Sequence, residues 1–279
     1  MMKKFELPYN FNFDKKWFQY MDENKDLWGY IDMIYLPCFV YNNSNETIYN
    51  TREEIKRYPK SKYEYRNHIE KLKRYNIPIS ILIQKNSSLE LIEEYINDYD
   101  IHSFVINNDE LARELKSKYG DKINLRLSIT RMVTREELET KDLSMYDDIC
   151  LFFTWTRKLD ELRKLPKKYK YVVIVNTICL WNCKNSLKHW FNGKTFKPNC
   201  FGRSNPCTYR DINMKTSAYV RPEDLSLFDD SIETYKLQGR ENYSSAIFDN
   251  LKQYVSRVSK HGIKYVNFDE NDVEGNYNS

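Results

Sequence analysis

Glycine and histidine are scarce in this chain, and each shortage excludes a class of function. Only seven of the 279 residues are glycine, and none forms a Gly-rich phosphate turn after an early strand. An open, doubly wound nucleotide-binding sheet needs such a turn. The four histidines form no His-Glu-x-x-His pattern, which leaves little room for a histidine-based metalloprotease. A Walker loop, a Ser–His–Asp arrangement and a paired-carboxylate spacing are also missing.

Long apolar runs and an excess of one charge are absent as well. No stretch approaches the roughly 18 apolar residues that a membrane span needs. The N-terminus begins like a signal peptide, but Glu6, Pro8 and Asn10 interrupt its apolar segment. The net charge of +4 is too small to indicate a nucleic-acid partner by itself. We therefore expect a cytoplasmic protein without a membrane partner, in which thiols stay reduced.

Short β-rich apolar runs alternate with longer amphipathic stretches along the chain, a pattern typical of βα units. Eight strands are predicted, at Phe5–Leu7, Ile31–Val40, Ile77–Ile83, Ile101–Ile106, Ile123–Ile129, Ile149–Phe153, Tyr171–Val175 and Thr234–Leu237. The predicted helices are Asp14–Met21, Tyr65–Tyr75, Leu89–Asn97, Asp109–Tyr119, Arg135–Thr140, Arg157–Leu165 and Glu241–Lys260. Eight such units favour an α/β fold, a single (β/α)8 TIM-like barrel over residues 1–279. An open doubly wound sheet is the alternative.

One region breaks the alternation. Residues 177–233, between strands 7 and 8, contain no convincing strand and hold four of the six cysteines. In a barrel this Cys-rich insertion would leave from the C-terminal face, where active sites are built. The polar residues 268–279 are predicted to form a loose tail.

The four cysteines of the insertion are the first candidate site. They are Cys179, Cys183, Cys200 and Cys207, and their spacing matches neither a zinc ribbon nor the bacterial ferredoxin run. Soft thiolates bind iron–sulfur clusters and zinc well, and four of them complete a coordination shell. The sequence favours a metal or cluster site here, and buried free thiols are the alternative.

Three other residues bear on this site. Cys38 lies at the end of the second predicted strand, where it would point towards the C-terminal rim, so it could replace Cys200 as the fourth ligand. Cys150 lies inside an apolar run and is predicted to be a small core residue. His189 could bind a metal, carry protons or cap a loop.

A second candidate site follows from alternation along the last strand. Alternation places Lys236, Gln238 and Arg240 on one side of the chain, and an inward row of this kind could hold an anion at the barrel mouth. The alternative is a structural one, in which Lys236 forms a buried ion pair with a carboxylate such as Glu223 or Asp224.

Polar residues also follow other predicted strands and could line a pocket at the same face, although each could equally cap its own loop. These residues are Gln84, Asn107, Thr130, Arg131, Thr154, Trp155 and Asn176.

The order of motifs resembles the collagenase-like peptidase family, numbered U32. The motifs are Val175-Asn176, Cys179-x3-Cys183, His189, Cys207, the segment Arg221-Pro222-Glu223-Asp224-Leu225 and the segment Lys236-Leu237-Gln238-Gly239-Arg240. The resemblance is strong over residues 171–254 and extends to strand order over the first 170 residues. Members of that family are similar to TIM barrels, and several bind a 4Fe–4S cluster through four cysteines.

The resemblance implies roles for particular residues. It makes Cys179, Cys183 and Cys207 cluster ligands, with Cys200 as the fourth and Cys38 in reserve. It makes Lys236, Gln238, Arg240 and Glu223 candidate catalytic residues. Asn176 and Arg221 are then candidate cofactor contacts.

The family includes proteins for oxygen-independent hydroxylation of ubiquinone precursors, transfer RNA and ribosomal RNA. The resemblance therefore implies an enzyme, or a subunit of one, that hydroxylates or otherwise modifies a small molecule or nucleic acid, alone or beside a partner of the same family. A zinc-stabilised binding or scaffold barrel is the first alternative. A peptidase, as the family name implies, is the second.

Overall fold

Eight parallel strands form a closed barrel in which each strand pairs with the next and β8 pairs with β1. The structure is a computed structural model that describes residues 3–11, 14–39, 59, 61–83, 87–177, 218–239 and 244–259. The strands are β1 (Lys4–Pro8), β2 (Ile31–Pro37), β3 (Ile79–Leu82), β4 (Ser103–Ile106), β5 (Asn124–Leu127), β6 (Asp148–Cys150), β7 (Lys170–Ile174) and β8 (Thr234–Lys236). The predicted (β/α)8 barrel is confirmed.

Helices follow the strands in the order that the hydrophobic pattern predicts. They are α1 (Asp14–Glu23), α2 (Lys62–Lys73), α3 (Leu89–Tyr99), α4 (Asp109–Tyr119), α5 (Arg135–Thr140), α6 (Leu159–Arg163) and α7 (Ser244–Ser256). Each carries an apolar face that packs on the outside of the barrel, as a surface helix of a globular domain does.

Side-chain caps fix where several helices begin. The Ser88 hydroxyl accepts a hydrogen bond from the Leu91 amide, and the Asn108 side chain accepts from the amides of Glu110 and Leu111. These bonds satisfy amides that have no partner within the helix. At the other end of α4, Gly120 has φ +55°, a conformation that glycine adopts without a steric cost.

Two strands end earlier than their apolar runs do. β2 stops at Pro37, and β6 stops at Cys150, because the chain turns into a 3-10 helix over Phe153–Arg157. Within that turn the Thr156 hydroxyl donates to the carbonyl oxygens of Phe153 and Ala218. α6 begins only at Leu159, later than predicted, because Lys158 leaves the helical region with φ −135° and ψ 50°.

The hydrophobic core fills the shell between the barrel and its helices. Trp17 of α1 is fully buried there, and its ring meets Tyr9 and Phe248 edge to face at 5.2 and 5.7 Å. Its indole N–H donates to the Pro8 carbonyl at 3.1 Å. This contact ties α1 to the end of β1 and to α7.

The Cys-rich insertion is described only at its two ends. Residues 218–233 contain a 3-10 helix over Pro222–Leu227 and no strand. The four cysteines of the insertion, His189 and the predicted tail 268–279 lie outside the described residues. No helix within the described part of the chain is long and apolar enough to cross a membrane.

Candidate functional site at the C-terminal end of the barrel

Charged side chains occupy the barrel lumen, which branched aliphatic residues fill in most barrels of this type. Glu6, Arg126, Asp148 and Lys236, on β1, β5, β6 and β8, are all buried. Burying a charge costs free energy unless another charge or a hydrogen bond compensates it. We therefore expect each to have a partner, and these four residues, named here the lumen charge cluster, supply partners to one another.

Lys236 is held between a carboxylate and an aromatic ring. Its Nζ lies 2.7 Å from Glu6 Oε2 and 3.6 Å from the centroid of the Tyr35 ring. The Tyr35 hydroxyl donates to the Leu237 carbonyl at 2.5 Å, which fixes the ring in place. A cation over a ring face is favourable when both are withdrawn from water. The buried ion pair that the sequence analysis gave as an alternative is therefore present. The carboxylate that pairs with Lys236, however, is Glu6 and not Glu223 or Asp224.

The second half of the cluster lies deeper in the lumen. The Arg126 guanidinium pairs with Glu6 Oε1, and its NH2 group lies 2.8 Å from Asp148 Oδ2. Asp32, on β2, is 3.9 Å from the same NH2 group and is partly exposed. Burial, followed by the nearby Asp148 charge, raises the pKa of Asp32. The carboxylates thus outnumber the cations at this end of the lumen.

Asn176 and Gln238 brace the ends of β7 and β8 against each other. The Asn176 Nδ2 donates to the Gln238 carbonyl and its Oδ1 accepts from the Gln238 amide, both at 2.8 Å. The Asn176 side chain therefore holds the backbone at the barrel mouth. Gln238 itself lies two residues beyond Lys236, at the C-terminal end of β8.

The insertion leaves and returns at this same point. The Val175 amide donates to the Lys236 carbonyl at 3.2 Å, and the Val220 amide donates to the Val175 carbonyl at 2.8 Å. The Tyr254 hydroxyl bonds the carbonyls of both Val175 and Val220. Residues 178–217 thus connect two chain positions that are hydrogen-bonded to each other at the C-terminal end of β7.

Two predicted site residues make local contacts instead of reaching Lys236. Arg221 pairs with Asp224 through two hydrogen bonds of 2.6 and 3.0 Å. The exposed Glu223 carboxylate accepts hydrogen bonds from the Ser259 amide and hydroxyl. Arg240, the last member of the predicted Lys–Gln–Arg row, lies outside the described residues.

The two described cysteines occupy different environments. Cys150 lies at the end of β6 and is buried, as predicted, and burial raises the pKa of its thiol. Cys38 was predicted at the end of the second strand; it directly follows β2, which stops at Pro37, and packs in the hydrophobic core without exposure. Within the described ranges, no group of three or more His, Cys, Asp or Glu side chains could hold a metal ion. Whether Cys38 or Cys200 is the fourth ligand stays open.

Polar residues after β4 and β5 mostly satisfy one another. Asn107 Nδ2 donates to Thr130 Oγ1 at 3.1 Å, and Thr130 Oγ1 is 2.9 Å from Ser128 Oγ. Arg131 lies 2.8 Å from Glu137 Oε1, and this pairing is the main cause that lowers the pKa of Glu137 to about 2. These side chains brace the rim, which agrees with the loop-capping alternative.

Sequence reasoning missed Glu6, Tyr35, Arg126 and Asp148 as members of the site. A signal was present, because Glu6 interrupts the run Phe5-Glu6-Leu7 and Arg126 interrupts Leu125-Arg126-Leu127. A charge between two apolar residues of a barrel strand must face the lumen when its neighbours face the helices. The pairing of β1 with β8, which brings Glu6 opposite Lys236, follows only from barrel closure.

The fold defines the class: this is a (β/α)8 barrel protein with a buried lumen charge cluster. Neither a protein-family model nor a curated protein sequence matches the chain. Among solved structures it is similar to a U32 peptidase, with 17% identity, a TM-score of 0.53, and coverage of 85% of this chain and 93% of that one. It also matches a tryptophan synthase complex from Pyrococcus furiosus, with 12% identity, a TM-score of 0.49 and coverage of 92% and 97%. The likeness to the U32 peptidase extends over nearly the whole barrel and concerns the fold.

Proposed function

We propose that this chain is a member of the U32 family that binds a 4Fe–4S cluster through Cys179, Cys183, Cys200 and Cys207. In this proposal it acts in oxygen-independent hydroxylation, or a related modification, of a small molecule or nucleic acid. It does so in the cytoplasm, alone or with a partner of the same family.

One observation carries the proposal. The segment that bears the four cysteines begins and ends at the C-terminal end of β7, beside the backbone of Lys236. The C-terminal face is where barrel enzymes build their active sites. Four thiols confined to one segment supply the donor set that a cluster needs. The likeness of the barrel to a U32 peptidase supports the same family by fold, and the motif order supports it by sequence.

The residues at the C-terminal end of the barrel, called the mouth here, suggest how the chain would take part in the reaction. A bound cluster would supply electron transfer or activate an oxygen donor. Lys236, fixed by Glu6, would present a positive charge at the floor of the mouth. Gln238 and Arg240 would orient a polar or anionic group of the substrate above it. Asn176 would keep the β7 and β8 ends in register through its two backbone hydrogen bonds.

Cysteine variants purified without oxygen test the ligand set. We expect Cys179→Ser, Cys183→Ser and Cys207→Ser each to lose most of the iron and the visible absorption. Cys150→Ala is the matched control and is expected to keep its iron, because that thiol lies at the end of a barrel strand. Cys200→Ala and Cys38→Ala, compared side by side, identify the fourth ligand. Full iron in all three serine variants would refute the proposed ligands.

A zinc-stabilised binding barrel is the second candidate, and the ion pairs favour it. Lys236 and Arg221, which sequence reasoning assigns to substrate or cofactor, are each paired with a carboxylate. Closed four-ligand zinc sites fold a loop and perform no chemistry. This candidate predicts one zinc per chain and partner binding that survives Lys236→Ala and Arg240→Ala. The peptidase reading would require peptide cleavage that survives Cys179→Ser and Cys183→Ser.

A further inference from the structure

The Lys236–Glu6 pair joins β1 and β8, the first and last strands of the barrel, where the barrel closes. Glu6 and Lys236 face each other in the register of the β1–β8 pair, and their side chains meet at 2.7 Å. Glu6 is fully buried and Lys236 is nearly so. The pair is therefore a part of the lumen, where Lys236 keeps only 6% of its surface exposed, and salt screens it less than it screens a surface pair.

Stability alone does not account for this arrangement. Withdrawing two charges from water costs several kcal/mol for each ion, and well-packed apolar side chains of similar volume often do as well or better. A barrel lumen filled by branched aliphatic residues is the usual solution. We therefore explain the Lys236–Glu6 pair by the position in which each side chain holds the other, and not by a contribution to the free energy of unfolding.

Contacts from three neighbouring parts of the barrel hold Lys236 in place. Glu6 holds the ammonium from β1, the Tyr35 ring covers it from β2, and the Val175 amide holds the backbone carbonyl from β7. Glu6 is itself held, because Arg126 pairs with its other carboxylate oxygen from the opposite side of the lumen. An ammonium restrained in this way keeps one position.

We propose that Glu6 is a positioning residue, which holds Lys236 as a fixed cation at the floor of the C-terminal mouth. This inference rests on the proposed function, since it takes that mouth as the working face of the barrel. Glu6 does not contact the substrate in this account; it acts through Lys236. Tyr35 restricts the same ammonium from the side, and Arg126 holds Glu6 through its other carboxylate oxygen.

The rate at which Lys236 reacts with an amine-specific acylating reagent, read by peptide mass spectrometry, tests the inference. Glu6→Gln removes the counter-ion, which favours the neutral and reactive amine. Asp148→Asn is the matched control, because it makes the same carboxylate-to-amide change within the same cluster but does not touch Lys236. We expect Lys236 to react at least about tenfold faster in Glu6→Gln than in Asp148→Asn, as a shift of one pKa unit implies. Equal rates in the two variants would overturn the inference.

A shorter acid provides a second variant in case Glu6→Gln does not fold. Glu6→Asp keeps the negative charge but shortens the side chain by one methylene, so Lys236 is expected to react several times faster than in Asp148→Asn. A rate no faster than in that control would again overturn the inference. Iron measured in the same preparations separates the two proposals. Iron-free wild-type protein refutes the cluster, whereas equal labelling rates in iron-loaded protein refute only the role of Glu6.

Discussion

The lumen of the barrel and the shell around it are both buried, yet they are built from opposite chemistry. The shell around β1 is aromatic, with Tyr9, Trp17 and Phe18 in edge-to-face or tilted contact. The lumen, on the other side of the same strand, holds Glu6 and its cationic partners. A single strand therefore presents an apolar face to the helices and a charged face to the barrel axis.

Even the polar groups of the two regions behave differently. In the shell, the Tyr9 hydroxyl lies 2.6 Å from His68 Nδ1, and burial lowers the pKa of His68. A neutral imidazole paired with a phenol satisfies its hydrogen bonds without a net charge. In the lumen the acidic and basic side chains form ion pairs with one another. The shell therefore satisfies its polar groups without ion pairs, whereas the lumen uses ion pairs, and the second arrangement is the one from which the positioning role of Glu6 is proposed.

The largest expected effect comes from the shell. Trp17→Ala removes a fully buried ring and the hydrogen bond that joins α1 to the end of β1. We expect a loss of about 4–5 kcal/mol in the free energy of unfolding, measured by denaturant titration. Tyr63→Ala is the control, because that side chain is 75% exposed, and its effect should stay within about 0.5 kcal/mol. Similar losses in both variants would contradict the role of the shell in stabilising the fold.

The second prediction concerns the lumen, where a second substitution should restore the stability that the first one removes. Glu6→Gln leaves Lys236 buried without its carboxylate and should cost about 3 kcal/mol of unfolding free energy. Adding Lys236→Met removes the positive charge that Glu6 balanced, while Arg126 keeps its contact with Asp148. The double variant should therefore recover most of the loss in the same titration. If the two losses simply add, Glu6 and Lys236 are not coupled as the structure implies.

The smallest effect concerns Asp32, at the edge of the lumen. Its raised pKa means that the folded state binds a proton more tightly than the unfolded state does. Its ionised form therefore disfavours folding, and stability falls as pH rises from the unfolded pKa through the folded pKa. We expect Asp32→Asn to raise the melting temperature slightly at pH 7, with the gain disappearing below pH 4. A lower melting temperature at pH 7 would show that Asp32 is a favourable partner of Arg126.

The fold could be predicted almost completely from the sequence, because it depends on local patterns. Each apolar strand run and each amphipathic helix is contiguous, so the order β1 to β8 and the helices between them follow directly. Strand ends were less certain. At Cys150 the apolar run continues to Phe153, but hydrogen bonds of Thr156 turn the backbone into a 3-10 helix.

The site could be predicted only in part. Alternation predicts that Lys236 faces inward, and a buried ion pair with Glu223 or Asp224 was the alternative to an anion site, but the observed partner Glu6 lies 230 residues earlier in the chain. Only closure of the barrel brings the two together. Arg221 was a candidate cofactor contact, and its pairing with Asp224, three residues later, depends on the turn at Pro222. A side chain that is engaged in a short-range ion pair of this kind is less available for the ligand contact that its motif implies.

The iron content of anaerobically isolated wild-type protein tests the central claim most directly. The account predicts a brown protein with about four irons per chain and an equal amount of acid-labile sulfide. A colourless protein that stays free of iron after anaerobic reconstitution would contradict it.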